Sequence, residues 1–355
     1  MNKLSKRILI GAIIGAVNLT GCSSDHSNDV AQRPAIVEEQ DENQNDKFET
    51  VMPSTNEEVQ EPVQEEVQEE VVQDSTQQVN DIISRLDVVS KDVVTTNLRT
   101  MVTNSDGGTL GYLGTGVTVS LLGEENGKYY IQYYDTTGYV TKDFVTRSTI
   151  VDINSNFNKV LYATSDVELT IPDYLSSTNS EQKVTIPTNE LFEVFDENND
   201  IYVVRTNNYV GYISHDNVNE LTGTFVVVDI SDQSLKLYND NNVILTTPVI
   251  TGKETTPTHE GLWHVYSISH HRDLVGANYT AYVDHFIAFN DGEGLHDAEY
   301  HSCSYNANHG WRNAVDFGGE KYLRSGSHGC VNMLRDAVEV VNDYAYIDMP
   351  VLVKK

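Results

Sequence analysis

From Val93 onward the chain runs in short alternating stretches rich in Val, Thr and Tyr, cut every few residues by Gly or Asn. Such alternation turns one strand face inward and the other outward, and the Gly and Asn clusters supply turns, so the pattern commits this part of the chain to β structure. A duplication is visible within it. Tyr130-Ile131-Gln132-Tyr133 leads to Gly138-Tyr139-Val140-Thr141, and Tyr202-Val203-Val204-Arg205 leads to Gly211-Tyr212-Ile213-Ser214. The two Gly-Tyr pairs lie 73 residues apart, a domain-sized interval rather than a solenoid repeat. Two copies of one fold are therefore expected, over 91–150 and 151–222. Tyr129, Tyr130, Tyr133, Tyr134 and Tyr139 admit two readings, cross-strand packing or an aromatic surface for a peptide.

The chain ahead of this region has a different character. Lys3, Lys6 and Arg7 precede the apolar run Ile8–Val17, which is shorter than the ~18 residues that would span a bilayer and fits a signal peptide. Leu19-Thr20-Gly21-Cys22 resembles the lipobox of bacterial lipoproteins, so residues 1–22 are expected to be a lipoprotein signal with Cys22 as the lipidated residue. That resemblance implies an extracytoplasmic protein held to a membrane by its acyl chains. Of the net charge of −30, much falls between Ser23 and Asp87, with 18 Asp/Glu against three basic residues. Such a stretch buries too little apolar surface to offset its ordering entropy, and residues 23–90 are expected to be a disordered acidic linker. The acidity argues against a nucleic-acid binder, which needs clustered Lys and Arg.

The chemistry concentrates at the C-terminal end. Strands are expected at Phe225–Ile230, Ser234–Tyr238 and Val243–Val249, joined by Asn/Asp-rich turns. Leu334, Val338, Val341 and Ala345 have helical spacing, placing a helix just after Cys330 and starting near Asn332. Nine of the eleven histidines lie between His259 and His328. The spacings match no familiar zinc pattern, so neither metal nor cofactor is expected. Within Ser327-His328-Gly329-Cys330-Val331-Asn332, a thiol at the start of a helix is favoured as thiolate by the dipole, and the amides of Gly329 and Cys330 are candidates to face an oxyanion. Cys330 is thus a candidate nucleophile.

Here the sequence resembles the L,D-transpeptidase catalytic family of the YkuD type, with a fold implied over 223–355. The residues that carry the resemblance are Val249-Ile250-Thr251-Gly252, Thr256-Pro257-Thr258-His259-Glu260-Gly261, Gly294-Leu295-His296-Asp297-Ala298, Trp311-Arg312, Phe317-Gly318-Gly319 and the Ser327–Asn332 motif. The two upstream copies resemble bacterial Src-homology-3-like (SH3-like) barrels, through Asn97-Leu98-Arg99 and Gly138-Tyr139-Val140 in the first. The fold class expected is mainly β: two small SH3-like barrels, then a β-rich catalytic domain with a helix after the cysteine motif. The resemblance implies that Cys330 attacks the third residue of a peptidoglycan tetrapeptide stem, expels D-Ala and forms a thioester, which an acceptor amine resolves as a 3→3 cross-link. It implies His296 as base, oriented by the carbonyl of Asp297, with His328 shaping the pocket, Asn332 the loop, and Ser327 supporting the motif through its hydroxyl.

Departures from the family pattern leave choices open. The family interval between histidine and Ser is shorter than the 30 residues between His296 and Ser327, whereas 17 separate His309 from Ser327. Spacing therefore nominates His309 and context nominates His296, with Glu299–Gly310 as an insertion. His259 stands where the family often has Pro. Cys303 is read as an inert thiol or as a reversible disulfide partner of Cys330. The stem-binding aromatic is sought among Tyr279, Tyr282 and Tyr305. Competing functions are an L,D-carboxypeptidase, a papain-like wall endopeptidase and a non-enzymatic wall-binding lipoprotein.

Overall fold

The computed structural model describes residues 79–176, 180–276, 280–298, 305–306, 310–311 and 317–355. The readings made for the signal, for Cys22 and for the acidic stretch up to residue 78 lie outside them. The expected linker ends earlier than residue 90. Val79, Ile82 and Ile83, at helical i, i+3, i+4 spacing, bury one apolar face against the core that contains Phe192 and Val204, and the first strand starts at Val88. Acidic composition hid this short apolar triplet, which gains its stability from tertiary packing.

The sheets follow the alternation. Strands β1 (Val88–Thr96), β2 (Thr100–Thr103), β3 (Thr109–Leu113), β4 (Thr118–Glu125), β5 (Lys128–Tyr133), β6 (Thr136–Thr141) and β7 (Val145–Ile153) pair in the order β3-β2-β6-β5-β4-β1-β7. Strands β8 (Lys159–Ala163), β9 (Val167–Ile171), β10 (Gln182–Ile186), β11 (Leu191–Glu197), β12 (Ile201–Arg205), β13 (Val210–Ser214) and β14 (Val218–Leu221) pair as β10-β9-β13-β12-β11-β8-β14. The second order is the first advanced by seven strands, and the two Gly-Tyr pairs sit on the equivalent strands β6 and β13. The tyrosines of the first sheet largely pack. Tyr130 and Tyr139 are cross-strand partners with ring centroids 5.1 Å apart, and Tyr133 is buried.

The third sheet holds nine strands. They are β15 (Thr224–Asp229), β16 (Ser234–Asn239), β17 (Asn242–Ile250), β18 (Gly261–His264), β19 (Ser267–Val275), β20 (Thr280–Asn290), β21 (Glu293–Asp297), β24 (Val331–Met333) and β25 (Pro350–Lys354). Short strands β22 (Tyr305–Asn306) and β23 (Gly310–Trp311) pair separately. The order is β18-β25-β15-β16-β17-β24-β21-β20-β19. Only two of its pairings, β15–β25 and β21–β24, are parallel among the described residues. The helix Arg335–Tyr344 lays Ala337, Val338 and Val341 into the core. It begins later than Asn332, because Val331-Asn332-Met333 is drawn into the sheet between β17 and β21.

Both upstream sheets are joined to the third. A Cβ at Gly111 of β3 would stand 2.1 Å from the Tyr133 hydroxyl, so only glycine lets this strand close down beside Phe317-Gly318-Gly319. The Thr115 amide donates to Glu320 Oε1 at 3.1 Å. On the second sheet, Arg205 reaches Asp152 Oδ1 at 2.7 Å and Glu193 Oε2 with Nε at 2.9 Å. Lys354 of β25 sits between Asp229 Oδ2 at 2.6 Å and Glu190 Oε1 at 3.0 Å.

Candidate active site

Strands β21 and β24 run side by side in parallel, with Leu295 opposite Val331 and His296 opposite Asn332. Cys330 ends the loop that enters β24, so the candidate nucleophile comes next to the strand of the candidate base although 30 residues lie between His296 and Ser327. The Cys330 Sγ accepts from the Gly294 amide and lies 3.7 Å from the Gly292 carbonyl. His296 is buried, its Nδ1 is 2.8 Å from the Asp297 carbonyl, and its ring stacks on Phe286 at 6.0 Å. That bond makes Nδ1 the protonated nitrogen and leaves Nε2 with its lone pair. The Asp297 carboxylate meanwhile accepts the backbone amides of Asp284 at 2.9 Å and His285 at 2.8 Å, tying β21 to β20.

The loop is held from both sides. The Ser327 hydroxyl donates to the Cys330 carbonyl and receives the Gly329 amide at 3.0 Å. The Gly329 amide is thereby engaged, which removes it from the two expected oxyanion donors. From the other side, Thr256 Oγ1 donates to the Ser327 carbonyl at 2.9 Å and Thr258 Oγ1 to the Gly329 carbonyl at 2.8 Å. Behind them the buried Gln233 receives the Thr251 amide at 3.0 Å, and Thr251 in turn accepts the Ser327 amide at 3.0 Å. Gly329 has φ +122°, and a Cβ there would meet Glu293 Oε1 at 2.7 Å, so the motif needs glycine for both conformation and space. Asn332 is fully buried on β24 and His328 is exposed. Thr256, Thr258, Gln233 and Glu293 had no role assigned from the sequence; the Thr-Pro-Thr run after Gly252 was the signal that pointed nearest to them.

Electrostatics correct one expectation. Because a strand intervenes between Cys330 and the helix Arg335–Tyr344, the thiol does not sit at that helix's N-terminus. Burial and the negative charge of Glu293 instead raise its pKa to about 11, against the lowering effect of the Gly294 amide. Burial pushes His296 below its ordinary value, opposed by its bond to Asp297. Both shifts favour the uncharged forms, a thiol on Cys330 and a neutral imidazole on His296, at pH 7. Alkylation of Cys330 by iodoacetamide in the full chain should rise roughly tenfold per pH unit between pH 7 and 10. Peptide mass mapping reads this, and a plateau below pH 8 would contradict it.

His301, Cys303, His309, Arg312 and Tyr279 lie outside the described residues. Tyr282 is exposed on β20, with its hydroxyl 3.0 Å from His271 Nδ1. Among the described residues no group of three or more His, Cys, Asp and Glu is placed to hold a metal ion.

Residues 223–353 match the family model described as the L,D-transpeptidase catalytic domain, YkuD. Among solved structures, a crystal structure of a mutant L,D-transpeptidase from Enterococcus faecium is 21% identical, with 54% of this chain and 75% of that one covered and a TM-score of 0.35. The catalytic domain of E. faecium L,D-transpeptidase, solved by NMR, is 27% identical over 38% of this chain and 98% of its own, with a TM-score of 0.32. An L,D-transpeptidase from Mycobacterium tuberculosis H37Rv is 14% identical over 58% and 90%, with a TM-score of 0.31. No curated protein sequence matches the chain.

Proposed function

We propose, from the L,D-transpeptidase catalytic domain carried by residues 223–353, that this protein cross-links peptidoglycan stems through a thioester on Cys330. The observation that carries the reading is that Cys330 leads directly into β24, which pairs in parallel with the strand bearing His296, and that His296 Nδ1 is fixed on the Asp297 carbonyl. In the first half-reaction the Cys330 proton passes to His296 Nε2 while Sγ attacks the carbonyl of the third stem residue. The C–N bond to the terminal D-Ala breaks, and the departing nitrogen takes the proton from His296. An amine on a neighbouring stem then displaces Sγ and leaves a 3→3 cross-link. Ser327, Gly329 and Asn332 hold the loop, and His328 borders the pocket. Neither metal nor cofactor enters these steps.

The remaining parts complete the proposal. Cys22 would carry the lipid that anchors the chain outside the cytoplasmic membrane, and the two seven-stranded units would act as SH3-like positioning modules toward the wall. The test is incubation with tetrapeptide-stem muropeptides, followed by mass. Cross-linked dimers that have lost D-Ala are expected. Tripeptide stems alone would make the protein an L,D-carboxypeptidase, and unchanged substrate would favour a non-enzymatic wall-binding lipoprotein.

A further inference from the structure

A second imidazole, His259, is bonded to a carboxylate that packs against the loop carrying Cys330. Glu293, three residues before His296 on β21, has a side chain only 9% exposed, and its Oε1 lies 2.6 Å from His259 Nδ1. Its Oε2 receives the Asn290 amide group at 3.1 Å, and the His259 backbone amide approaches the same oxygen at 3.4 Å. This carboxylate is at the reacting loop itself, since it occupies the space a Gly329 side chain would need, and its charge reaches Cys330. His259 is secured to that loop through its neighbour Thr258, which donates to the Gly329 carbonyl. Trp263 Nε1 donates to the His259 carbonyl at 2.9 Å. The His259 side chain is 66% exposed. With Nδ1 committed to the carboxylate, Nε2 is the nitrogen left to take up a proton from outside.

The two imidazoles are built for different proton transfers. His296 is enclosed and rests on a neutral carbonyl, an environment that disfavours a lasting imidazolium and suits brief receipt of the thiol proton. His259 is open to solvent and rests on a carboxylate, which fixes its tautomer and the orientation of its ring. An acceptor amine arrives from solvent as an ammonium, with a pKa of about 10 for an alkylamine, and cannot attack until it sheds a proton. The geometry points to His259, oriented by Glu293, as the base that deprotonates the incoming amine in the second half-reaction. This rests on the transpeptidase reading. In that step the N–C bond forms and the C–S bond breaks. Of the two protons the ammonium must lose, one passes through His259 Nε2 to solvent and the other returns to Sγ. His259 is then a catalytic residue on the acceptor side, and Glu293 positions it.

The experiment uses the full chain, a tetrapeptide-stem donor, and two acceptors: a stem peptide with a free alkylamine, and hydroxylamine, which is unprotonated at neutral pH. His259→Gln should accumulate acyl-enzyme and lose about a hundredfold in resolution by the alkylamine, whereas hydroxylamine should bypass the defect. Added imidazole should restore alkylamine transfer to His259→Gly. Glu293→Gln should show a smaller loss in alkylamine transfer, together with faster alkylation of Cys330 at pH 8, because a negative charge beside the thiol is gone. Resolution of His259→Gln by the alkylamine at the rate of the unaltered chain would overturn the assignment. Equal slowing with both acceptors would also overturn it, by reducing His259 to a structural part. An unaltered chain that forms no acyl-enzyme would remove the transpeptidase reading itself.

Discussion

Cys330→Ala is expected to give no acyl-enzyme by intact-protein mass and to lower product formation from tetrapeptide stems by at least about a thousandfold. The reason is local. Ser327 is the nearest hydroxyl in the motif, but it bonds both the Cys330 carbonyl and the Gly329 amide, so it cannot take over the attack without dismantling the loop. His296→Gln should follow with a loss of about 10²- to 10⁴-fold, the usual contribution of a positioned general base. A parallel His309→Gln protein decides between the two candidate bases, with activity near that of the unaltered chain expected. Retained cross-linking in the alanine protein would remove Cys330 as nucleophile, and inactivity of His309→Gln alone would transfer the base to that position.

Lys354→Met should lower stability by about 3–5 kcal/mol at pH 7, read from the denaturant midpoint. Lys354 is 4% exposed, and its ammonium lies between Asp229 of β15 and Glu190 ahead of β11. Asn207 Nδ2 also donates to Asp229 Oδ2 at 3.0 Å, so the contact joins the second sheet to the third. Burial and the Asp229 charge raise nearby Asp232 to about 6, a sign that negative charge is already crowded there. Without the lysine, buried Asp229 and partly buried Glu190 lose their shared counter-ion, and Asp232, whose raised pKa the Lys354 charge now holds down, moves further above its unfolded value. Groups shifted upward stabilise the fold below the unfolded pKa and lose that contribution as pH rises, so the deficit should shrink as pH falls toward about 4. Adding Asp229→Asn and Glu190→Gln to Lys354→Met should recover much of the loss. A single variant with an unchanged midpoint would mean that the ion cluster contributes nothing to holding the sheets together.

What could be read ahead of the structure divides along physical lines. Alternation exposed the strands from Thr224 to Ile250, and recurrence of Tyr-rich strands before Gly-Tyr exposed two sheets of one topology, because both signals are local and repeated. The helix at Arg335–Tyr344 was legible from Val338 and Val341, but its start was not: three residues, Val331 to Met333, are too few to display a strand period. That misplacement carried a wrong electrostatic inference for Cys330, since the dipole it invoked is not adjacent. Val79, Ile82 and Ile83 were masked by the acidic residues around them. Thr258, Gln233 and Glu293 were silent for another reason. Thr258 bonds the Gly329 carbonyl, Gln233 the Thr251 amide and Glu293 the His259 ring, and an isolated threonine, glutamine or glutamate looks the same in sequence whether it faces water or a partner distant along the chain.

The parallel pairing of β21 with β24 has a consequence for how such a protein changes over generations. Neighbouring parallel strands cannot be joined by a tight turn, so the chain must leave the sheet after His296 and return before Cys330. The register of Leu295 with Val331 holds the His296 strand against the start of the strand after Cys330 whatever the length of that excursion. Residues between the strands can therefore be inserted, deleted or rewritten without altering the register that sets His296 opposite Asn332. A lineage can try new recognition in one stretch of chain while inheriting its reaction intact in another.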